Sequence, residues 1–114
     1  MLKTRWTLFD GPAGEDRTHV WIEADGAGAV IRSHSWGPGV DRNFGSDVIE
    51  TWLSVDGRGL ETFAHALVMD RPEIDPTAPP IDVVAEAYRG DSAATSHARR
   101  RLDELGIAYA FTMV

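Results

Sequence analysis

The chain has 114 residues, 43% of them apolar and 25% charged, which suffices for one modest core and leaves no chain for a second domain. Eleven Lys and Arg against eighteen Asp and Glu give a net charge of −7, which argues against nucleic-acid backbones and anionic membranes and favours basic partners. There is no cysteine, so disulfides, thiolate catalysis and cysteine-bound metals are excluded, and no apolar run approaches the ~20 residues of a membrane span.

Lys3 and Arg5 precede only a short apolar stretch, Trp6 to Asp10, too brief for a signal-peptide core, so a cytoplasmic address is expected. Thr4 to Phe9 alternates as a strand, with Trp6 and Leu8 on one side. Asp10 to Arg17 holds Gly11, Pro12 and Gly14 and reads as a loop. Thr18 to Glu23 alternates again. Val20 and Ile22 face one way, and His19, Trp21 and Glu23 the other. Asp25-Gly26 with Gly28 is a hairpin signal, and Ala29 to His34 returns as the partner strand. Val40 to Phe44 makes one helical turn before Gly45. Val48 to Val55 is the fourth strand, with Ile49, Leu53 and Val55 opposite Glu50, Trp52 and Ser54. Asp56 to Gly59 is a turn.

From Leu60 the period changes. Leu60, Phe63, Ala64, Leu67 and Val68 have the spacing of one helical face. Four prolines between Asp70 and Pro80 make a semi-rigid connection. A helix over Ile81 to Tyr88 buries Ile81, Val84 and Tyr88. Asp91 is a candidate N-cap for the next helix, which buries Ala94, Ala98, Leu102 and Leu105 and ends at Gly106. Ile107 to Val114 is a last strand, apolar on both faces and expected to insert into the sheet.

The predicted class is therefore α+β, in one domain over residues 1–114. A mostly antiparallel sheet of about five strands, in ββββ-ααα-β order, has its helices packed on one face. Gly37-Pro38, Phe44-Gly45 and Trp52, followed by Leu102, Gly106-Ile107 and Tyr109-x-Phe111, give the chain a recognisable cadence. In residues 29–67 and 98–111 it resembles a group of small acidic bacterial proteins of actinobacterial type with no assigned activity. The resemblance implies a compact single domain and carries over no functional residue. Gly39 departs from it, standing where a helix former is expected.

Chemistry-bearing residues are few. A turn centred near Gly26 places His19 opposite His34, Trp21 opposite Arg32 and Glu23 opposite Val30. Two imidazoles at cross-strand distance could share a metal or a proton, so His19 and His34 are the candidate metal pair. The plainer expectation is two solvated histidines and no cofactor. No G-x-S-x-G occurs. Gly26-Ala27-Gly28 lacks a following helix and is no phosphate cradle. Arg99-Arg100-Arg101 spreads around a helix and serves that helix rather than nucleic acid.

The second face of the sheet is more informative. It carries His19, Trp21, Glu23, Arg32, His34, Glu50 and Trp52, and tryptophan with arginine is the composition of interfaces. Trp21, Arg32, Glu50 and Trp52 are the candidate binding residues, unless the segments 10–17 or 70–80 fold over them. The expected function is a non-catalytic protein-binding module: immunity- or antitoxin-like, an inhibitor, or an accessory subunit. Its partner is a protein, of basic character, or a second copy, with no nucleic acid and no membrane. The alternative is a small enzyme or ligand binder using His19, His34 and Glu50 as catalytic groups on the same face.

Overall fold

The computed structural model describes residues 4–114, so Lys3 lies outside the described residues. Five strands form one antiparallel sheet in the order β1-β2-β3-β4-β5. They are β1 (Arg5–Ala13), β2 (Asp16–Asp25), β3 (Gly28–Trp36), β4 (Val48–Val55) and β5 (Ala110–Met113). Helix α1 (Pro38–Phe44) lies between β3 and β4. Helices α2 (Gly57–Asp70), α3 (Pro80–Ala87) and α4 (Ala94–Leu105) lie between β4 and β5. The class is α+β with the helices packed against the sheet, and the helical turn expected over Val40 to Phe44 is a short helix, α1, that starts at Pro38 and adds to the ββββ-ααα-β order.

The β2–β3 hairpin has the expected register, with Asp25 opposite Gly28 and His19 opposite His34. The first hairpin differs. Residues 10–17 are not a loop: β1 runs to Ala13 and β2 starts at Asp16, joined by a tight turn with Gly14 at φ 64°. Pro12 suggests a loop, but an edge strand tolerates proline because one side of its backbone has no neighbour to bond. A register shift between Thr7 and Phe9 lets Leu8 turn into the core.

Helix α1 is held from a distance. The Asp16 carboxylate, at the start of β2, accepts the Gly39 N–H at 2.8 Å and the Val40 N–H at 3.3 Å. This also explains Gly39, since a Cβ there would stand 2.6 Å from Asp16 Oδ2. Residues 56–59 are not a free turn but the cap and first turn of α2, where Asp56 accepts the Gly59 N–H at 2.7 Å. Asp91 is not the cap of α4. Ala93 holds that position, and Asp91 accepts the Ala93 N–H at 2.9 Å and contacts His97 at 2.6 Å.

The core lies between the sheet and the helices. Phe63 from α2, Val84 from α3 and Leu102 from α4 cover Val20, Ile22 and Leu53, each with at most 1% of its surface exposed. Ala94 and Ala98 let α4 approach closely, and Ile81 is only half-buried because Val83 takes the inward position. Strand β5 does not insert into the sheet. It is a four-residue edge strand paired, among the described residues, with β4 alone. Strands β1 to β4 pair in chain order, so every inner edge is already taken when the chain returns from α4.

Candidate functional site: the open face of the sheet

Side chains alternate across a strand, so the residues between the core positions share the opposite face. Register aligns them in rows. One row runs Thr7, Trp21, Arg32, Trp52, Thr112 across all five strands. The next holds Asp10, His19, His34 and Glu50. A third holds Arg5, Glu23, Val30 and Ser54, and a fourth Arg17, Trp36 and Val48. All four sequence-derived binding residues fall on this face, Trp21, Arg32 and Trp52 as direct neighbours and Glu50 in the adjacent row.

The central row is a ladder of arginine and tryptophan. The Arg32 guanidinium lies 5.9 Å from the Trp21 ring centre and 5.3 Å from that of Trp52. Arg5 covers Trp21 at 4.4 Å. Such contacts contribute about 0.5–1 kcal/mol each at exposed sites and stiffen both partners. Arg32 Nη1 donates to Glu23 at 2.9 Å. That hydrogen bond holds the Glu23 carboxyl below the ordinary glutamate range, against some desolvation. Trp21 Nε1 and Arg32 Nε are shielded donors with no hydrogen-bond partner among the described residues.

The histidines are brought together as the spacing predicts, but each is engaged with tryptophan. His19 lies 4.7 Å from Trp21, and His34 lies 5.2 Å from Trp36 in an edge-on contact. His34 Nδ1 is 3.8 Å from Glu50, too far for a hydrogen bond. Among the described residues no group of three or more His, Asp or Glu side chains is arranged to hold a metal.

Neither candidate cover closes this face. Residues 10–17 are part of the sheet itself. The proline segment after α2 is pinned to the helical side by Ile74, which is buried in the core. Trp21, Arg32 and Trp52 are half-buried through contact with one another. The arginine run serves its own helix only in part: Arg101 pairs with Glu104 of α4 at 3.8 Å, but no basic residue stands in the last turn, and Arg101 reaches Asp70 of α2 at 2.9 Å while Arg99 rests 4.1 Å from the Phe111 ring of β5.

One feature of the helical side was missed by the sequence analysis. Beyond Val20 and Leu53 the inward positions turn to hydroxyls: Thr18 and Ser35 bond at 2.6 Å, and Ser33 bonds Thr51. They floor a cleft of about 280 Å³ below the start of α4. The switch from apolar to Ser and Thr at inward positions was the legible signal. No family model, curated protein or solved structure matches the chain.

Proposed function

We propose that the chain is a non-catalytic protein-binding module whose recognition surface is the open sheet face, in the manner of an immunity-like protein, an inhibitor or an accessory subunit. The observation that carries this reading is the Trp21–Arg32–Trp52 row, set in register across three strands with no element over it among the described residues. Aromatic and arginine side chains supply most hot-spot energy, and here they are held by one another before a partner arrives, so little side-chain entropy is left to lose.

Charge divides the roles. The face holds Arg5, Arg17 and Arg32 against Asp10, Glu23, Asp25 and Glu50, three positive and four negative, so it sums to −1. Most of the net −7 therefore resides elsewhere on the chain. A partner that is basic overall is drawn in by that remote charge, and it meets a nearly balanced surface on which apolar groups dock against the two tryptophans. The enzymatic alternative is less well supported. A cleft of about 610 Å³ by the Asp25–Gly28 turn reaches only the margin of this face, at Ser54, and one of about 430 Å³ lies between α2 and the proline segment. A flat face suits a protein surface better than an enclosed substrate.

The test is Trp21→Ala and Trp52→Ala, each first shown to fold by circular dichroism and thermal melting. Binding to a partner isolated with the wild-type chain should fall tenfold or more in each variant. Unchanged binding in both would move recognition off this face.

A further inference from the structure

The two edges of the sheet are not alike. On β1 the edge is guarded: it carries a register shift at Thr7 to Phe9 and a proline at Pro12, and the Leu8 carbonyl accepts the Gly90 N–H at 2.7 Å. These are the devices that stop an edge from pairing with another chain. Apart from its shortness, strand β5 has none of them. Its sequence, Ala110-Phe111-Thr112-Met113, contains no charge and no proline, and it pairs without a bulge.

Its free backbone groups follow from its pairing. Val114 and Glu50 exchange both backbone hydrogen bonds, at 3.0 and 2.9 Å. In an antiparallel ladder the bonded pairs alternate, so Thr112 and Ala110 also face β4. The N–H and C=O groups of Phe111 and Met113 then point outward, and no partner for them exists among the described residues. Apolar surface gathers beside them. Of the exposed large hydrophobics among the described residues, all but Met69 lie at this corner of the sheet. Trp36 and Val48 are register partners at the ends of β3 and β4, Val114 follows β5, and Phe44 and Met113 line one cleft. Met113 is 51% and Val114 68% exposed.

We propose that β5 is a dimerisation edge that pairs antiparallel with β5 of a second copy, around a two-fold axis at Thr112. Phe111 then faces Met113 of the partner subunit and the reverse, which closes about four backbone hydrogen bonds. A two-fold axis sets each residue against its own copy or a near neighbour, so a strand without charge is the kind that tolerates it. Four residues of ladder fall short of the roughly 800 Å² per partner in a stable interface, so the dimer is a weak one, to which only the exposed Met113 and Val114 beside the ladder add apolar surface. The net charge of −7 on each copy opposes association, so added salt tightens the dimer. The result is one ten-stranded sheet whose two Trp–Arg ladders share a face. This goes beyond the proposed function and does not depend on it.

Sedimentation velocity on the full chain over a range of concentrations tests it. The wild type should show a monomer–dimer equilibrium that salt shifts toward dimer. Met113→Pro removes an outward N–H that bonds nothing inside the protomer and should weaken the dimer tenfold or more. Should Met113→Pro fail to fold, a charge pair takes its place. Thr112→Lys and Thr112→Glu should each weaken the homodimer, and an equimolar mixture should recover dimer as the mixed species. A wild type that stays monomeric throughout overturns the proposal. So does a dimer indifferent to these changes, or one lost instead in Trp21→Ala and Trp52→Ala, which would assign self-association to the open face.

Discussion

The same strands build two unlike surfaces. Val20, Ile22, Ile31 and Leu53 lie under the helices and are almost wholly buried. Their immediate neighbours Trp21, Arg32 and Trp52 lie on the side that no helix covers. One face is held together by excluding water. The other is held by contacts between large side chains that are individually weak, such as cation–π pairs and one half-exposed ion pair. A face that contributes little to stability yet keeps two tryptophans and an arginine in register is where recognition is best sought.

The sharpest way to break the comparison uses adjacent residues of β3. Ile31→Arg places an unpaired charge in the core, a cost of several kcal/mol against a total stability of about 5–15 kcal/mol. It should abolish the cooperative thermal transition. Arg32→Ile, one residue on, should leave the transition in place, and loss of the fold there would show that the open face is structural.

Next in size is a pair of truncations. Phe63, only 1% exposed, is the largest fully buried side chain, and Phe63→Ala should cost about 3–5 kcal/mol in denaturant unfolding. Trp52→Ala removes a cross-strand neighbour and a cation–π contact and should cost about 1 kcal/mol. Similar losses in the two variants would erase the distinction between the faces. A smaller effect tests the device that holds α1 over the hydroxyl end of the sheet. Asp16→Ala removes the acceptor for two helix N–H groups and should cost about 1 kcal/mol in the same experiment.

The smallest effect concerns pH. Because Arg32 holds the Glu23 carboxyl below its ordinary range, ionised Glu23 stabilises the folded state. That contribution is present above the unfolded glutamate pKa of about 4.3 and is lost as pH falls through the lower folded value. Glu23→Gln should therefore lack a small part, under about 1 kcal/mol, of the wild type's acid-induced loss, since the pair is half-exposed. Identical stability-versus-pH curves would mean that the ion pair is neutral to folding.

Much of this was legible from local pattern. Alternation in residues 18–23 and 48–55 sorted each side chain to its face, and Asp25-Gly26 with Gly28 fixed the register that sets Trp21 beside Arg32 and His19 beside His34. The helix period placed Phe63 and Leu67 inward, and Gly106 marked the end of α4 in the left-handed conformation, at φ 68°. The misses have a common cause. Pro12 argues for a loop unless the strand is at an edge, and edge position is not local information. The acceptor for the Gly39 N–H is Asp16, 23 residues earlier, which no window around α1 contains.

What the sequence determined by itself is therefore whatever depends on neighbours along the chain: the period of each segment, its turns, and which residues share a face. The tertiary structure decided what depends on partners brought from afar. It set β5 at an edge, because the inner edges were already paired when the chain returned to the sheet. It pinned the proline segment to the helical side through Ile74, which left the tryptophan face open. It also gathered Trp36, Phe44, Val48 and Met113 at one corner from separate elements. Periodicity sorts each side chain to one face of its own element, but which of those faces is covered is settled only by how the elements pack together.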